Sequence, residues 1–327
     1  MKEIRIKGNY LQMGRTFGKT LSQFHREFSP KVEHLEFGEK CETAVKKYAP
    51  DLLDEIKGIA EATKKEYESL VVSMLSPWFI FGCTLFAVKG EFTQNGNPVF
   101  ARHMDWLKQD IDALHVIHTE PEDGYKSVGF SFGDCGRYGG QNEHGLTIAS
   151  AAIAGYNGRI KPGVRMNVST RWALDKLTNT EEAVKYLTRI PHTEAMAFLI
   201  NDRSGTIARV EAAPEKTDFE FIDEGIGIAT NVFVMDSMKD LDQGLPKDNH
   251  VYKYIDRLES WFDANQGRIN LDDVISICSD EKEGICQADE AFMEVTIWSW
   301  IAETNPCSMQ LAPGPPCKTD YRYIDRD

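Results

Sequence analysis

Two stretches decide how this chain is read: Val71 to Val88, VVSMLSPWFIFGCTLFAV, and Pro98 to Trp106, PVFARHMDW, which follows a polar turn. The first is eighteen nearly uncharged residues, close to the length of a membrane span. Ser73, Ser76, Pro77, Gly82, Cys83 and Thr84 interrupt it, Pro77 would break a helix midway, and no basic flank marks a cytoplasmic side. The run therefore reads as a buried helix passing into a buried strand, with Gly82-Cys83-Thr84 at the junction. Asn95-Gly96-Asn97 is a hairpin signal, so the strand opened by Cys83 is expected to pair with 98–103 on its return. That pairing carries Arg102 and Asp105 back towards Cys83.

Upstream of the junction the pattern is helical, over 11–28, 39–47 and 51–67. Leu52, Leu53, Ile56, Ile59 and Ala60 mark an apolar face, and Ala49-Pro50-Asp51 supplies a start signal. The first ten residues, MKEIRIKGNY, alternate in charge, read as a strand and lack the apolar core of a signal peptide. Downstream the chain is strand-rich, with runs over 83–89, 98–103, 114–118, 146–152, 195–201, 206–211, 219–222, 226–231 and 296–301. Helices interrupt at 168–177, 180–189, 251–265 and 271–278, with Thr180 and Asn270 as candidate caps. Hairpins of strands with helices in blocks make an α+β pattern without regular βαβ alternation. Two mostly antiparallel sheets covered on their outer faces by helices would satisfy it.

Composition narrows the function. The 327 residues carry a net charge of −14 and are 42% hydrophobic, which suits a folded globule and excludes disordered and collagen-like classes. An acidic surface argues against nucleic acid or an anionic membrane as partner. The first 81 residues carry +1 and the remainder −15, so composition shifts at the same junction. Seven scattered cysteines with no C-x-x-C fit neither a zinc knuckle nor a disulfide scaffold, and point to a reducing, cytoplasmic setting. Asn167-Val168-Ser169 is read as a chance sequon.

Cofactor motifs fail one by one. Gly225 to Thr230 lacks the third glycine and the helix of a dinucleotide fingerprint, and Gly129 to Gly140 lacks the Lys-Ser/Thr of a P-loop. His115 and His118 would point to opposite faces of a strand. There is no H-E-x-x-H and no G-x-S-x-G, and His103 and His144 stand alone. No cofactor or metal is expected. What remains is Cys83. A cysteine in an apolar run is ordinarily a small core hydrophobe. Beside it, however, Arg102 would favour a thiolate, and Asp105 could anchor an amine. A plain Arg–Asp surface pair satisfies the same spacing.

Gly-Cys-Thr followed by a hairpin ending in Arg102-x-x-Asp105-Trp106 resembles the choloylglycine hydrolase group of N-terminal-nucleophile hydrolases, and most closely its penicillin acyltransferase-like branch, the acyl-coenzyme A:6-aminopenicillanate acyltransferases. Further segments agree in order: Gly140 to Leu146, Asp202 to Gly205 leading to Val210-Glu211, Ala229 to Phe233, and Thr296 to Ser299 with Pro313 to Cys317. The resemblance runs from about Gly82 to Tyr323. Residues 1–81 match loosely, at the helix bearing Gly14 and Gly18. Two departures stand out: His103 where many relatives have Asn, and Leu85 where the fungal acyltransferases have a second Thr.

The resemblance implies an αββα sandwich in which 1–82 is a helical pro-segment and 83–327 the catalytic portion, the two forming one compact domain and staying associated. It implies self-cleavage at Gly82-Cys83, with Cys83 as nucleophile and its freed α-amine as base. Arg102 would then stabilise the thiolate, Asp105 would orient the amine, and Asn231 with Asn142 would serve the oxyanion. Its implied substrate is a small-molecule N-acyl amide, hydrolysed or passed to an amine. Trp106, Tyr138 and Phe233 are candidate substrate-binding residues. Homo-oligomerisation stays open. One alternative is an uncleaved, non-catalytic relative serving as a binding or structural module. Another is a conventional cysteine peptidase with His103 or His144 as base.

Overall fold

The computed structural model describes residues 1–21, 32–77, 82–108, 114–246, 249–282, 285–289 and 294–326. It opens with β1 (Lys2–Gly8), where Ile4 and Ile6 are buried and the charged residues between them face out. Four helices follow: α1 (Tyr10–Leu21), α2 (Val32–Tyr48), α3 (Asp51–Thr63) and α4 (Tyr67–Leu75). The expected continuation of the first helix to 28 lies outside the described residues, as do 78–81 at the heart of the apolar run. The helix expected to reach 67 stops at Thr63, because Lys64 turns to φ 57° and closes it with a left-handed cap. Helices α1 and α3 touch backbone to backbone, since a Cβ on Gly14 would fall 2.0 Å from the Glu55 carbonyl oxygen.

The rest of the chain supplies β2 (Cys83–Val88), β3 (Val99–Leu107), β4 (His115–Pro121), β5 (Ser127–Ser131), β6 (Gly139–Asn142), β7 (Thr147–Ala152), α5 (Met166–Lys176) and α6 (Thr180–Leu187). After these come β8 (Met196–Asn201), β9 (Ile207–Ala212), β10 (Thr217–Phe221), β11 (Gly227–Ala229), α7 (His250–Asn265), α8 (Leu271–Cys278), β12 (Glu294–Thr304), β13 (Cys307–Ala312) and β14 (Arg322–Tyr323). The cap of α6 is Asn179 and not Thr180, its side chain accepting from the Glu182 N–H, whereas Asn270 and Asp273 form a full capping box on α8. Periodicity does not reveal β5, β6, β13 and β14, which are short or lack clear alternation.

One sheet runs β1-β4-β5-β6-β7-β8-β9-β10, antiparallel except where β1 lies parallel to β4. The other runs β11-β2-β3-β12-β13-β14 and is antiparallel throughout. Period-2 alternation divides the buried side chains among three cores. In β8, Phe198 and Ile200 enter the core shared with α1, α3 and α5, while Ala197 and Leu199 enter the core between the sheets. In β2, Cys83, Leu85 and Ala87 face between the sheets, and Phe86 and Val88 pack under α7 and α8. The result is an α+β sandwich of two sheets with helices on both outer faces, as the pattern predicts. Rings of Phe130, Trp298, Trp300 and Phe100 stack through the middle layer, with centroids 4.4 to 5.5 Å apart. No helix among the described residues is long and apolar enough to cross a membrane.

Candidate active site

Pairing of β2 with β3 puts Cys83 opposite Met104 and Leu85 opposite Arg102, so Arg102 is the diagonal neighbour of Cys83 on the face between the sheets. Its Nη2 donates to Cys83 Sγ at 3.4 Å. The guanidinium lies over the Trp298 ring, 5.3 Å from its centroid. Gly139 leaves room for it, because a Cβ there would sit 3.1 Å from Nη1. Arg102 is buried, and its Nε and Nη1 find no hydrogen-bond partner among the described residues. Cys83 is 4% exposed. Burial pushes its thiol above the ordinary range, the Arg102 charge and hydrogen bond pull it back, and Asp105 adds a smaller upward push.

Asp105 belongs to the alternate residues of β3, with Ala101 and His103, on the side towards α7 and α8. Its backbone N–H donates to the Gly82 carbonyl oxygen at 2.9 Å. Its Oδ1 accepts from Thr296 Oγ1 at 2.6 Å, and that hydroxyl accepts in turn from the Gln287 N–H at 2.9 Å. The carboxylate is thereby held beside the peptide that joins Gly82 to Cys83. Asn231 arrives by a separate route. The register of β11 on β2, Ala229 opposite Leu85, continued two residues brings Asn231 to Cys83. Its Oδ1 accepts from the Cys83 N–H at 3.0 Å, and its Nδ2 donates to the Ala152 carbonyl at 2.7 Å.

The structure thus brings together Cys83, Arg102, Asp105 and Asn231 around Gly82. It does not bring Asn142 to them. Asn142 Nδ2 donates to the carbonyls of Leu174 and Leu177, and its Oδ1 accepts from the N–H groups of His144 and Leu146. That side chain closes the end of α5 and shapes the turn into β7. Trp106, Tyr138 and Phe233 all lie in the core between the sheets, in the same cluster as Cys83. Trp106 stacks on Phe132, which meets the Tyr138 ring edge-on. A cavity of about 650 Å³ lined by Lys89, Arg203, Thr206 and Phe221 holds none of these residues.

Neither histidine offered as a conventional base is hydrogen-bonded to Cys83. His103 is fully buried with Nδ1 on the Ile285 carbonyl at 2.9 Å, and His144 packs against the Tyr125 ring. The carbonyl can only accept, so Nδ1 carries the proton. In sequence, Thr296 and Trp298 belong to the expected strand over 296–301 and to a segment that carries the resemblance, with no role of their own. Nothing in the local sequence sets Thr296 apart, since Ser299 is an equally buried hydroxyl in the same strand.

By fold, the chain is similar to penicillin V acylase from Agrobacterium tumefaciens, with a TM-score of 0.50 and 21% identity over 74% of this chain and 86% of that one. It is similar to the conjugated bile acid hydrolase of Clostridium perfringens in two single-residue variants. A variant with a cysteine replaced by alanine gives a TM-score of 0.52 at 14% identity, over 75% of this chain and 97% of that one. A variant with an arginine replaced by leucine gives 0.53 at 16% identity, over 74% and 92%. At such identities the likeness carries the fold, that of the N-terminal-nucleophile hydrolases. No curated protein matches the sequence significantly. Residues 92–317 match the family profile of acyl-coenzyme A:6-aminopenicillanic acid acyl-transferase, a span that includes Arg102, Asp105 and Asn231 and begins after Cys83. With more than two thirds of its length in that match, the chain belongs to the acyl-coenzyme A:6-aminopenicillanic acid acyl-transferase family.

Proposed function

We propose that the chain is a self-processing cysteine amidase or acyltransferase acting on N-acyl amides. The observation that carries this reading is the treatment of one junction, Gly82-Cys83, at three atoms. The Cys83 thiol meets a buried guanidinium, its N–H meets the Asn231 carbonyl oxygen, and the carbonyl preceding it accepts from the Asp105 N–H. In the first step Sγ attacks the Gly82 carbonyl carbon, and the Asp105 N–H stabilises the developing oxyanion. The C–N bond breaks, the thiol proton passes to the Cys83 nitrogen, and water hydrolyses the thioester to a Gly82 carboxylate and a free thiol.

Cleavage converts an amide nitrogen into an α-amine whose ordinary pKa is about 7.7 to 8.0. That amine lies beside Asp105 and Asn231, on the nucleophile's own residue, and so supplies a general base without histidine. In turnover it takes the Cys83 thiol proton as sulfur attacks the substrate amide, then delivers it to the leaving amine. Arg102 stabilises the thiolate, and Asn231 donates to the tetrahedral oxyanion through the second hydrogen of Nδ2. Water on the acyl-enzyme gives hydrolysis, and an amine gives transfer. The similarity to a penicillin V acylase and a conjugated bile acid hydrolase supports an amide substrate.

On a denaturing gel the wild type is expected as two bands, about a quarter and three quarters of 37.0 kDa, and Cys83→Ala as one. Two intact single bands defeat self-processing. The second reading, an uncleaved binding module, is favoured by the depth of the thiol and the upward push that burial gives it. An uncut chain whose Cys83 resists iodoacetamide would establish that reading. A cleaved chain releasing amine from N-acyl substrates would remove it.

A further inference from the structure

Away from the candidate nucleophile, Cys286 and Cys317 place their sulfurs 2.7 Å apart. We propose that they are a redox-responsive dithiol, closed to a disulfide by a small-molecule disulfide such as oxidised glutathione and reopened by the corresponding thiol. The pair brings together two distant pieces of chain, the loop after α8 and the segment between β13 and β14. Two thiols at this separation need only a small side-chain rotation to bond. No group of three or more potential metal ligands occurs among the described residues, so the two sulfurs are not part of a metal cluster there.

The two sulfurs have unequal parts in the exchange. Cys317 is half-buried, whereas Cys286 is buried at 3% exposure. Burial, and then the neighbouring Cys317 sulfur, hold the Cys286 thiol well above the ordinary range. Cys317 is therefore the attacking thiol. Its thiolate displaces one thiolate from the oxidant and forms a mixed disulfide. Cys286 then loses its proton, and its sulfur displaces the second thiolate from the Cys317 sulfur. Two protein thiols and one small disulfide become one protein disulfide and two small thiols.

The position gives the bond something to hold. Cys286 immediately precedes Gln287, whose N–H donates to Thr296 Oγ1 and whose carbonyl accepts from the Thr296 N–H at 2.6 Å. Closing the disulfide pins this loop to the segment carrying Cys317, and so steadies the hydrogen bonds that Thr296 makes. This inference stands on the sulfur geometry and does not depend on the amidase reading.

The test uses the full chain equilibrated at set ratios of oxidised to reduced glutathione, blocked with N-ethylmaleimide and mapped by peptide mass spectrometry. A linked peptide pair containing Cys286 and Cys317 is expected, about 2 Da lighter than the two free thiols together. Cys286→Ser should trap glutathione on Cys317, while Cys317→Ser should leave Cys286 unmodified. Amide exchange in peptides containing Gln287 and Thr296 should slow on oxidation. N-ethylmaleimide on both cysteines at the most oxidising ratio overturns the pair, and a link to any other cysteine does the same. Glutathione trapped on Cys286 overturns the order of attack, and unchanged exchange overturns the pinning. The wild-type map decides the pair even if a serine variant fails to fold.

Discussion

Asp105 reaches Gly82 twice: its N–H donates to the Gly82 carbonyl at 2.9 Å, and its Cβ would lie 3.1 Å from a Cβ placed on Gly82. The glycine thus lets the peptide lie against the strand that carries the carboxylate. Gly82→Ala must push that peptide away from Asp105 by a few tenths of an ångström, lengthening the bond that polarises its carbonyl. We expect conversion to the two-band form to slow by about 10-fold or more, because geometric misplacement of this order costs rate steeply. Densitometry of the intact band against time after synthesis measures it. Cleavage at the wild-type rate would show that the close approach has no part in processing.

The Asp105 carboxylate can be separated from the Asp105 backbone. Asp105→Asn keeps the N–H that meets Gly82 and removes the charge beside the Cys83 nitrogen. If that charge orients the α-amine, turnover by the cleaved variant falls about 10² to 10⁴-fold, the usual range for a group serving proton transfer. Thr296→Val removes the hydroxyl that donates to Oδ1 at 2.6 Å and should give a smaller loss in the same direction. Initial rates of amine release, normalised to the cleaved fraction, check both. Equal rates in Asp105→Asn and wild type would take the carboxylate out of the mechanism.

How far the sequence could be read follows from which contacts are local. The β2–β3 hairpin is local, so Arg102 and Asp105 could be brought to Cys83 from alternation and a turn signal alone. The amide side chain of Asn231 could be matched only through a resemblance, since it reaches Cys83 through the register of β11, 148 residues on. The same resemblance offered Asn142, whose four hydrogen bonds tie it to α5 and the turn before β7. Asparagine closes turns and caps helix ends as readily as it meets an oxyanion, and residue type cannot separate the two. The Thr296 contact spans 191 residues and the Cys286–Cys317 pair joins two loops, so neither leaves a periodic trace.

Arg102 opposes what burial does to Cys83. Replacing it by methionine keeps the bulk over Trp298 and leaves burial uncontested, so the thiol must rise further. In the uncut Cys83 protein, the pH at which iodoacetamide reactivity reaches half its maximum should move upward, with slower labelling at neutral pH. Peptide mapping of the alkylated Cys83 gives the profile. An unchanged midpoint would mean that the guanidinium does not influence the thiol.

His103 makes a separate prediction, about stability. Burial pushes it down from 6.5 to about 4, with the Ile285 carbonyl opposing through its hydrogen bond. The unfolded chain therefore takes up a proton near pH 6.5 that the folded chain refuses until about pH 4. This contribution to stability is complete above about pH 6.5 and is lost progressively as the pH falls through that window, up to about 3 kcal/mol in all. His103→Asn removes the titrating group. Urea unfolding midpoints measured from about pH 7.5 to 4 should fall less steeply in the variant, and parallel curves would show that His103 does not titrate this way.

If the chain is cleaved as proposed, a charged contact with no access to water would hold the N-terminal segment in place. Glu55 of α3 accepts from the Arg171 guanidinium of α5 at 3.1 and 3.4 Å, both side chains being fully buried. Arg171 also donates to Asp175 at 2.7 Å, and Tyr10 of α1 donates to the same Asp175 oxygen at 3.0 Å. Two residues from before Gly82 are thus locked to two from after it. Glu55→Ala removes one partner and strands part of a buried guanidinium, a change that typically costs about 3–5 kcal/mol. In the uncut Cys83→Ala background this should lower the urea midpoint without altering the described fold by circular dichroism. In the cleavable background the same substitution should let the smaller fragment leave. Size-exclusion chromatography followed by a denaturing gel would then find the two bands in separate fractions, where the wild type keeps them in one. Co-elution in Glu55→Ala at wild-type stability would mean that the apolar packing of α1 and α3 suffices to hold the fragment.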